Sequence, residues 1–510
     1  MLVIDGGALS LAEMKEFLEG GVRVAVSSKA MARVKRARAF VEKKLASREP
    51  FYGINTGFGM LADRPIPPAD LEKLQENLIL SHAVGVGNPF SLPMARLIML
   101  LRANVLAMGY SGVREETLKL LVNMMNRGVV PIIPEQGSVG ASGDLAPLAH
   151  IALAMIGRGD VFHKGRVVAA KRALKAEGLK PIRLSAKEGL ALTNGTQAMA
   201  AMGAAALVRL ENLIKVADIA GALSIEGDRA SRRPFDARIH KLRPHPGQIA
   251  TAANVRRLIV ASGIIASHAN CKRVQDPYSF RCIPQVHGAV KDALAYSRSV
   301  IMRETGSCTD NPIIFAEDDE IISGGNFHGE PLAFALDMIA IATSELGSIS
   351  ERRVAIMTAP LSGELKTRFL VPNPGLNSGL MIAHVTMSAL VSENRALAHP
   401  ASVDSIPTSG GQEDHVSMGP IAGRKALAII RNVETIIAIE VLAACQAIDL
   451  QHQYGRPGRG TAGVYKLVRQ CVPFIEGDRE YRHDIAHCEE LVRSGELVAA
   501  AEDACGTLAV

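Results

Sequence analysis

The sequence predicts a mainly α protein, a long central helical bundle with a smaller N-terminal domain, and three observations carry that expectation. The 510 residues are 48% hydrophobic but only 4% aromatic, with no Trp, so a large core must be built from Ala, Leu and Met. Ala-rich stretches at about 196–225, 329–358, 376–398 and 419–453 have the apolar spacing of long helices. Gly/Pro/Asn loops separate them, and apolar faces of that length are too large for one subunit to cover, so an oligomer is expected.

The elements follow in chain order. Between Lys29 and Arg48, Met31, Val34, Ala37, Val41 and Leu45 fall on one helical stripe and leave the basic residues on the other face. A loop, Phe51-Tyr52-Gly53-Ile54-Asn55-Thr56-Gly57-Phe58-Gly59, comes next, and then a helical run from Pro93 to Met108. Gly109 and Gly112 break that run, which places a boundary between an N-terminal domain, 1–110, and the bundle domain, 111–510.

Other patterns exclude function classes. Seven Cys, at 271, 282, 308, 445, 471, 488 and 505, are odd in number and lack paired spacing, which argues against a disulfide framework and for a reducing compartment. Asp5 stands where a signal peptide would have its apolar region, and apolar stretches such as 434–450 carry charges, so a cytoplasmic protein with no membrane partner is expected. The net charge of +6 includes a cluster of Arg229, Arg232, Arg233, Arg238, Lys241 and Arg243. Asp228 and Asp236 interrupt it and only Phe235 interleaves, so it reads as a solvated face or subunit contact and not as a nucleic-acid site. Gly458-Arg-Gly460-Thr-Ala-Gly463 fits GxGxxG but follows a helical pattern, so it reads as a loop. His483 and His487, followed by Cys488, have i,i+4 metal spacing without HExxH or an assigned third ligand; they read as a polar helix face, with no metal expected.

The segment from Gly137 to His150, Gly-Ser-Val-Gly-Ala-Ser-Gly-Asp-Leu-Ala-Pro-Leu-Ala-His, carries the chemistry. If the Gly143 nitrogen attacks the Ala141 carbonyl and water leaves the ring and the Ser142 side chain, a methylidene-imidazolone results, an electrophile that no ordinary side chain provides. Gly143 and Gly140 give the backbone freedom for that approach. Asp144 can accept a proton during the loss and reads as the cap of the helix starting at Leu145. Taken alone, the tripeptide reads as a Gly/Ser turn before a helix or an anion nest. A Ser acyl-transfer nucleophile is disfavoured, because no GxSxG surrounds Ser142.

The longer match decides among these. From Tyr52 to about Gly419 the chain resembles the aromatic amino acid ammonia-lyases, the family of histidine, phenylalanine and tyrosine ammonia-lyases and related aminomutases. The resemblance implies a homotetramer with shared active sites and a cofactor, 4-methylidene-imidazol-5-one, formed from Ala141, Ser142 and Gly143 with no external cofactor. It implies Tyr52 as base, Asn194 as an amide touching electrophile and substrate, and Tyr278 near the electrophile. Arg281 then grips the substrate carboxylate with Gln275 in support, and Phe327 excludes water. A Tyr with the ordinary pKa of about 10 needs nearby positive charge or donors to act as a base.

Ser81-His82 and Gln412-Glu413-Asp414-His415 resemble the histidine branch. His82 faces the substrate ring and Glu413 accepts an imidazole N–H, which implies elimination of ammonia from L-histidine to trans-urocanate. Two departures from that branch stand out, Gly410-Gly411 before Gln412 and His287 in place of a Met. Other readings remain: a tyrosine or phenylalanine lyase or aminomutase, the fumarase and aspartase group suggested by Gly306-Ser-Cys-Thr-Asp-Asn-Pro312, and a non-enzymatic helical scaffold or nucleic-acid-binding protein.

Overall fold

The computed structural model describes every residue except 48, 269–272, 360–364 and 366, so Arg48 and Cys271 lie outside the described residues. The chain is 60% helix and 7% strand, a mainly α protein. Three of the expected long helices form as Gln197–Gly227, Glu330–Thr358 and Gly419–Asp449, and the fourth as the shorter Met381–Leu397. Ile283–Glu304, 22 residues that sequence reasoning did not single out, is longer than the last of these. Two compact units emerge: Met1–Ala205 with Arg298–Asp337 and Pro400–Arg424, and Ala206–Ser297 with Met338–His399 and Lys425–Val510.

The first unit begins with a parallel pair of short strands, Leu2–Ile4 and Val24–Val26, around a helix, Leu11–Glu19, closed by a capping box between Ser10 and Glu13. Ser27 caps the helix Ser28–Ala46, which buries Val34, Ala37 and Val41 as the stripe requires. Its basic side is not all solvated, because Arg38 is buried and donates to the carbonyls of Gly112 (3.3 Å) and Ala186 (3.0 Å) and to Ser185 Oγ (2.7 Å). Those fixed acceptors supply what water would otherwise give the guanidinium.

The helix Leu92–Ala107 is almost wholly buried, Arg102 and Asn104 included. Asn104 is satisfied by Gly6 N–H (3.0 Å) and by the carbonyls of Gly7 (2.8 Å) and Thr305 (3.1 Å). Small sheets finish this unit: Val86–Pro89 with Pro134–Gln136, a three-stranded sheet of Val130–Pro131, Asp160–His163 and Arg166–Ala169, and the hairpin Ile313–Phe315/Glu320–Ile322.

The second unit encloses an ionic core. Arg353 and Glu440 are fully buried and paired (Nη2–Oε2 2.8 Å), and Ser224 and Ser350 also donate to Glu440, at 2.7 and 2.6 Å. Beside them, His287 meets Asp218 through Nδ1 (2.8 Å) and Arg353 through Nε2 (3.4 Å), while Lys291 donates to Asp218 (2.8 Å). The imidazole that departs from the family pattern is thus a satisfied core group. Burial and the neighbouring Arg353 hold His287 below its ordinary pKa against the pull of Asp218.

The GxGxxG segment corrects its expectation. Gly458 precedes a helix, Arg459–Cys471, that contains Gly460 and Gly463, so most of the motif is helical instead of a loop. A Cβ on Gly463 would meet the Ala500 carbonyl oxygen at 2.7 Å, so this glycine permits close helix packing. His483 and His487 lie on the helix Tyr481–Ser494, and no metal-ligating group of three gathers among the described residues. Among the described residues one helix, Glu330–Thr358, is long and apolar enough to cross a membrane (mean hydropathy 1.5), but 72% of its apolar window is buried in the fold, as in a core helix.

Gly458 N–H donates to buried Glu226 (2.6 Å), whose carboxyl burial pushes up to about 7 despite donors from Ser262, Thr461 and Gly458. Its folded pKa lies above the ordinary 4.5, so its stabilising contribution is complete below pH 4.5 and lost as the pH rises through 7. Glu226→Gln mimics the protonated form. Thermal melts are expected to coincide for variant and parent at pH 4.5, with the variant more stable at pH 8 by up to about 3 kcal/mol.

Candidate active site

The tripeptide Ala141-Ser142-Gly143 sits in a bend held open for it. Gly140 and Gly143 take positive φ values, +70° and +72°, and a Cβ on Gly143 would meet the Gly195 carbonyl oxygen at 2.1 Å. Only glycine fits at that contact, and the approach leaves backbone from two segments against each other. The Asp144 N–H donates to the same carbonyl (2.6 Å), and the Asn194 amide donates to the Ser142 carbonyl (2.9 Å). Asn194 is buried at the C-terminal end of the helix Glu188–Thr193, which fixes the amide that reaches the tripeptide.

Asp144 corrects one expectation. It precedes the helix Leu145–Met155, yet its side chain makes no capping bond there. Its Oδ2 instead accepts from Ala198 N–H (2.8 Å) and Met199 N–H (3.0 Å), in the first turn of Gln197–Gly227. The positive end of that 31-residue helix therefore points at the residue after the tripeptide. Burial nevertheless pushes Asp144 up to about 7, against those two donors and aided by the nearby Glu304 carboxylate. A carboxyl that exchanges its proton near neutrality fits the dehydration that would convert the tripeptide into its cyclic form. The cradle at Gly143, the buried Asp144 and the exposed side of Ser142 all suit that group.

Glu413 meets Ser142 directly. Its Oε1 accepts from Ser142 Oγ (2.7 Å), and its Oε2 accepts from Thr408 Oγ1 and Ser409 Oγ, both at 2.7 Å. Partial burial pushes the carboxyl up, but the three hydroxyl donors and His82 outweigh it, leaving Glu413 below the usual range and ionised at neutral pH. The reciprocal effect on His82 is smaller than its burial, which holds the imidazole below its ordinary value. His82 ends the helix Leu71–His82, and its Nδ1 lies 3.0 Å from Ser81 Oγ. The Gly410-Gly411 pair supplies φ values of +67° and +91° in a tight turn closed by Gly411 N–H to Thr408 O (3.0 Å), with Thr408 and Glu413 paired across it. Gln412, in the same turn, is exposed.

The other expected residues are placed as follows. Tyr52 is half-buried, and its hydroxyl accepts from Gly59 N–H (3.3 Å), across a loop tied by Asn55 to Phe51 N–H and Glu49 O, both at 2.7 Å. Phe327 is half-buried in the loop before Glu330–Thr358. In the second unit, Tyr278 opens the short helix Tyr278–Arg281 and is 71% exposed, with the Arg281 guanidinium 4.5 Å from its ring centroid. Among the described residues Arg281 Nε is buried without a hydrogen-bond partner, and Gln275 is exposed. Asp276 fixes this turn by accepting from Ser231 N–H (2.7 Å) and Arg273 (3.1 Å).

Sequence reasoning missed the residues that hold Asn194. Arg102 donates to the carbonyls of Asn194 (2.9 Å) and Ala191 and to Gln197 Oε1 (2.7 Å), serving the last carbonyls of Glu188–Thr193. At the other end, Gln75 Oε1 accepts from Gly189 N–H (2.8 Å), and Lys187, at φ +74°, pairs with Asp310 at 3.0 Å with both side chains fully buried. A lone Arg in the apolar run Leu-Ile-Met-Leu-Leu-Arg-Ala-Asn was the available signal. Lys187→Met strands Asp310 and is expected to cost about 3–5 kcal/mol in a urea titration, much of it recovered by adding Asp310→Leu.

Comparison with known proteins identifies the family. The sequence model of the aromatic amino acid lyase family matches residues 9–470. The chain belongs to that family. It is 52% identical over 503 residues to a histidine ammonia-lyase of Myxococcus xanthus, with 99% of each chain covered. The crystal structure of histidine ammonia-lyase from Trypanosoma cruzi superposes with a TM-score of 0.91 at 44% identity, covering 98% of this chain and 95% of that one. A tyrosine aminomutase from Streptomyces globisporus has a similar fold, TM-score 0.93 at 38% identity, with both chains fully covered. Family membership together with these full-length histidine ammonia-lyase relatives makes the chain a carbon–nitrogen lyase.

Proposed function

We propose that the protein eliminates ammonia from L-histidine to give trans-urocanate, the opening step of histidine degradation. The observation that carries this reading is the Glu413 carboxylate bonded to Ser142 at 2.7 Å, an acceptor for an imidazole N–H beside the tripeptide. A phenyl or phenol ring offers no N–H, and a desolvated carboxylate without a donor costs about 1–3 kcal/mol or more. The relatives at 52% identity support the same substrate.

The methylidene-imidazolone formed from Ala141-Ser142-Gly143 supplies the electrophile that turns the amine into a leaving group, and no external cofactor or metal is called for. Tyr52 removes the β-proton, its oxygen held by Gly59 N–H. Asn194 orients the tripeptide, with Tyr278 near it, and Arg281 with Gln275 binds the substrate carboxylate in a planar fork. His82 and Gln412 border the ring, and Phe327 keeps water out. Assembly is a homotetramer with active sites shared between copies, located in the cytoplasm, with neither nucleic acid nor membrane as partner.

A tyrosine-specific lyase or aminomutase is the second reading, favoured by the Streptomyces globisporus structure. Incubation with histidine, tyrosine or phenylalanine, followed by the near-UV absorbance of each acrylate, separates the two. Urocanate is the expected product, and its absence with turnover of either other amino acid defeats the histidine reading.

A further inference from the structure

Two histidines outside the expected site join its loops. His328 follows Phe327, and His415 lies two residues after Glu413; their rings stack with centroids 5.9 Å apart and planes 5° from parallel. His328 Nδ1 accepts from Glu330 N–H (3.3 Å), so the ring hydrogen sits on Nε2, which donates to the His415 carbonyl (3.1 Å). Beyond this clasp both loops fasten to one residue. Gly329 N–H donates to Gly140 O (3.1 Å), and Ser417 Oγ donates to the same oxygen (3.0 Å). Gly140 adjoins Ala141, so the clasp closes a ring of contacts around the start of the tripeptide.

We propose that His328 is a positioning residue for recognition of the substrate ring, acting through Glu413. On one side the Glu413 backbone is held by its pairing with Thr408, at 2.8 and 3.4 Å. On the other side, the next fixed points are the His415 carbonyl in the grip of His328 and Val416 N–H on Ser405 Oγ (2.9 Å). Releasing the first lets the turn shift along the chain, and the Glu413 carboxylate moves relative to Ser142. A displacement of about 1 Å is enough to weaken a hydrogen bond to a substrate ring, without touching the groups that break bonds. The inference rests on the reading of Glu413 as the ring acceptor.

The test uses the full-length protein. His328→Phe keeps a ring to stack on His415 but removes both hydrogen bonds, whereas His328→Gln keeps an N–H that can reach the His415 carbonyl. His328→Phe is expected to raise KM for L-histidine about tenfold with kcat within about threefold, and His328→Gln to recover most of the loss. Intact mass, still short by two waters, shows that the tripeptide has matured, and thermal melting shows that the fold is kept. The deciding measurement repeats His328→Phe in a Glu413→Gln background, where it should change kcat/KM less than about twofold.

An equal loss in both backgrounds, or a fall in kcat alone, overturns the positioning role while leaving Glu413 as ring acceptor. If Glu413→Gln by itself leaves histidine turnover intact, the reading of Glu413 fails and the proposal with it. If His328→Phe does not fold, His328→Gln and Glu413→Gln carry the same cycle. A KM for His328→Gln as far from the parent as that of an unstacked His328→Ala then counts against the proposal.

Discussion

A Ser142→Ala protein is expected to fold, to lack the mass deficit of two waters that the parent carries, and to lose at least about three orders of magnitude of turnover. The fold survives because Ser142 is only partly buried and, before the tripeptide cyclises, its hydroxyl contributes a hydrogen bond to Glu413 that folding does not depend on. Removing one such bond costs about 0.5–1.5 kcal/mol, small against the buried contacts on either side at Gly140, Gly143 and Asp144. Chemistry has no such reserve. Without a β-hydroxyl to eliminate, the exocyclic methylene cannot form, and no other side chain here is an electrophile. Intact mass, circular dichroism and urocanate absorbance measured on one preparation separate the possibilities. A variant that turns over histidine at the parental rate, or a parent with no mass deficit, removes the tripeptide from the mechanism.

Long helices were legible because an apolar face repeats along many turns. Gln197–Gly227 and Gly419–Asp449 announce themselves through Ala, Leu and Ile at helical spacing, and Ala packs without side-chain entropy to lose. The tripeptide and its neighbours were legible for a different reason, since the chemistry requires those residue types in that order. Capping was not. Asp144 is one residue from one helix start and more than fifty from the other, and the sequence favours the near one, while the fold gives its carboxylate to Ala198 and Met199.

Long-range pairs follow the same logic. Nothing local to Lys187 names Asp310, 123 residues away, and Arg102 reaches Asn194 across 92. Partners of that kind are chosen by where helices pack, which a one-dimensional pattern does not record. A buried charge in an apolar run is the trace they leave, because it demands a partner somewhere. His287 is a polar trace of the same kind: a departure from the histidine-branch pattern, answered in the structure by Asp218 and Arg353.

Glu413→Gln is expected to lower kcat/KM for L-histidine about tenfold to 150-fold, the loss of one hydrogen bond to an ionised acceptor at about 1.5–3 kcal/mol. Glutamine keeps the shape, and its carbonyl still accepts weakly from an imidazole N–H, so the loss is that of the charge and not of the whole contact. Rejection of a phenol should relax in the same variant. In the parent, whose Ser142 hydroxyl is eliminated as the tripeptide matures, a ring without an N–H leaves the ionised Glu413 desolvated with Thr408 and Ser409 as its hydroxyl donors, whereas a neutral amide in that place pays a smaller penalty. The ratio of histidine to tyrosine kcat/KM is therefore the sensitive quantity, because it falls from both ends. A variant whose histidine-to-tyrosine ratio equals that of the parent would place the ring's N–H on another acceptor.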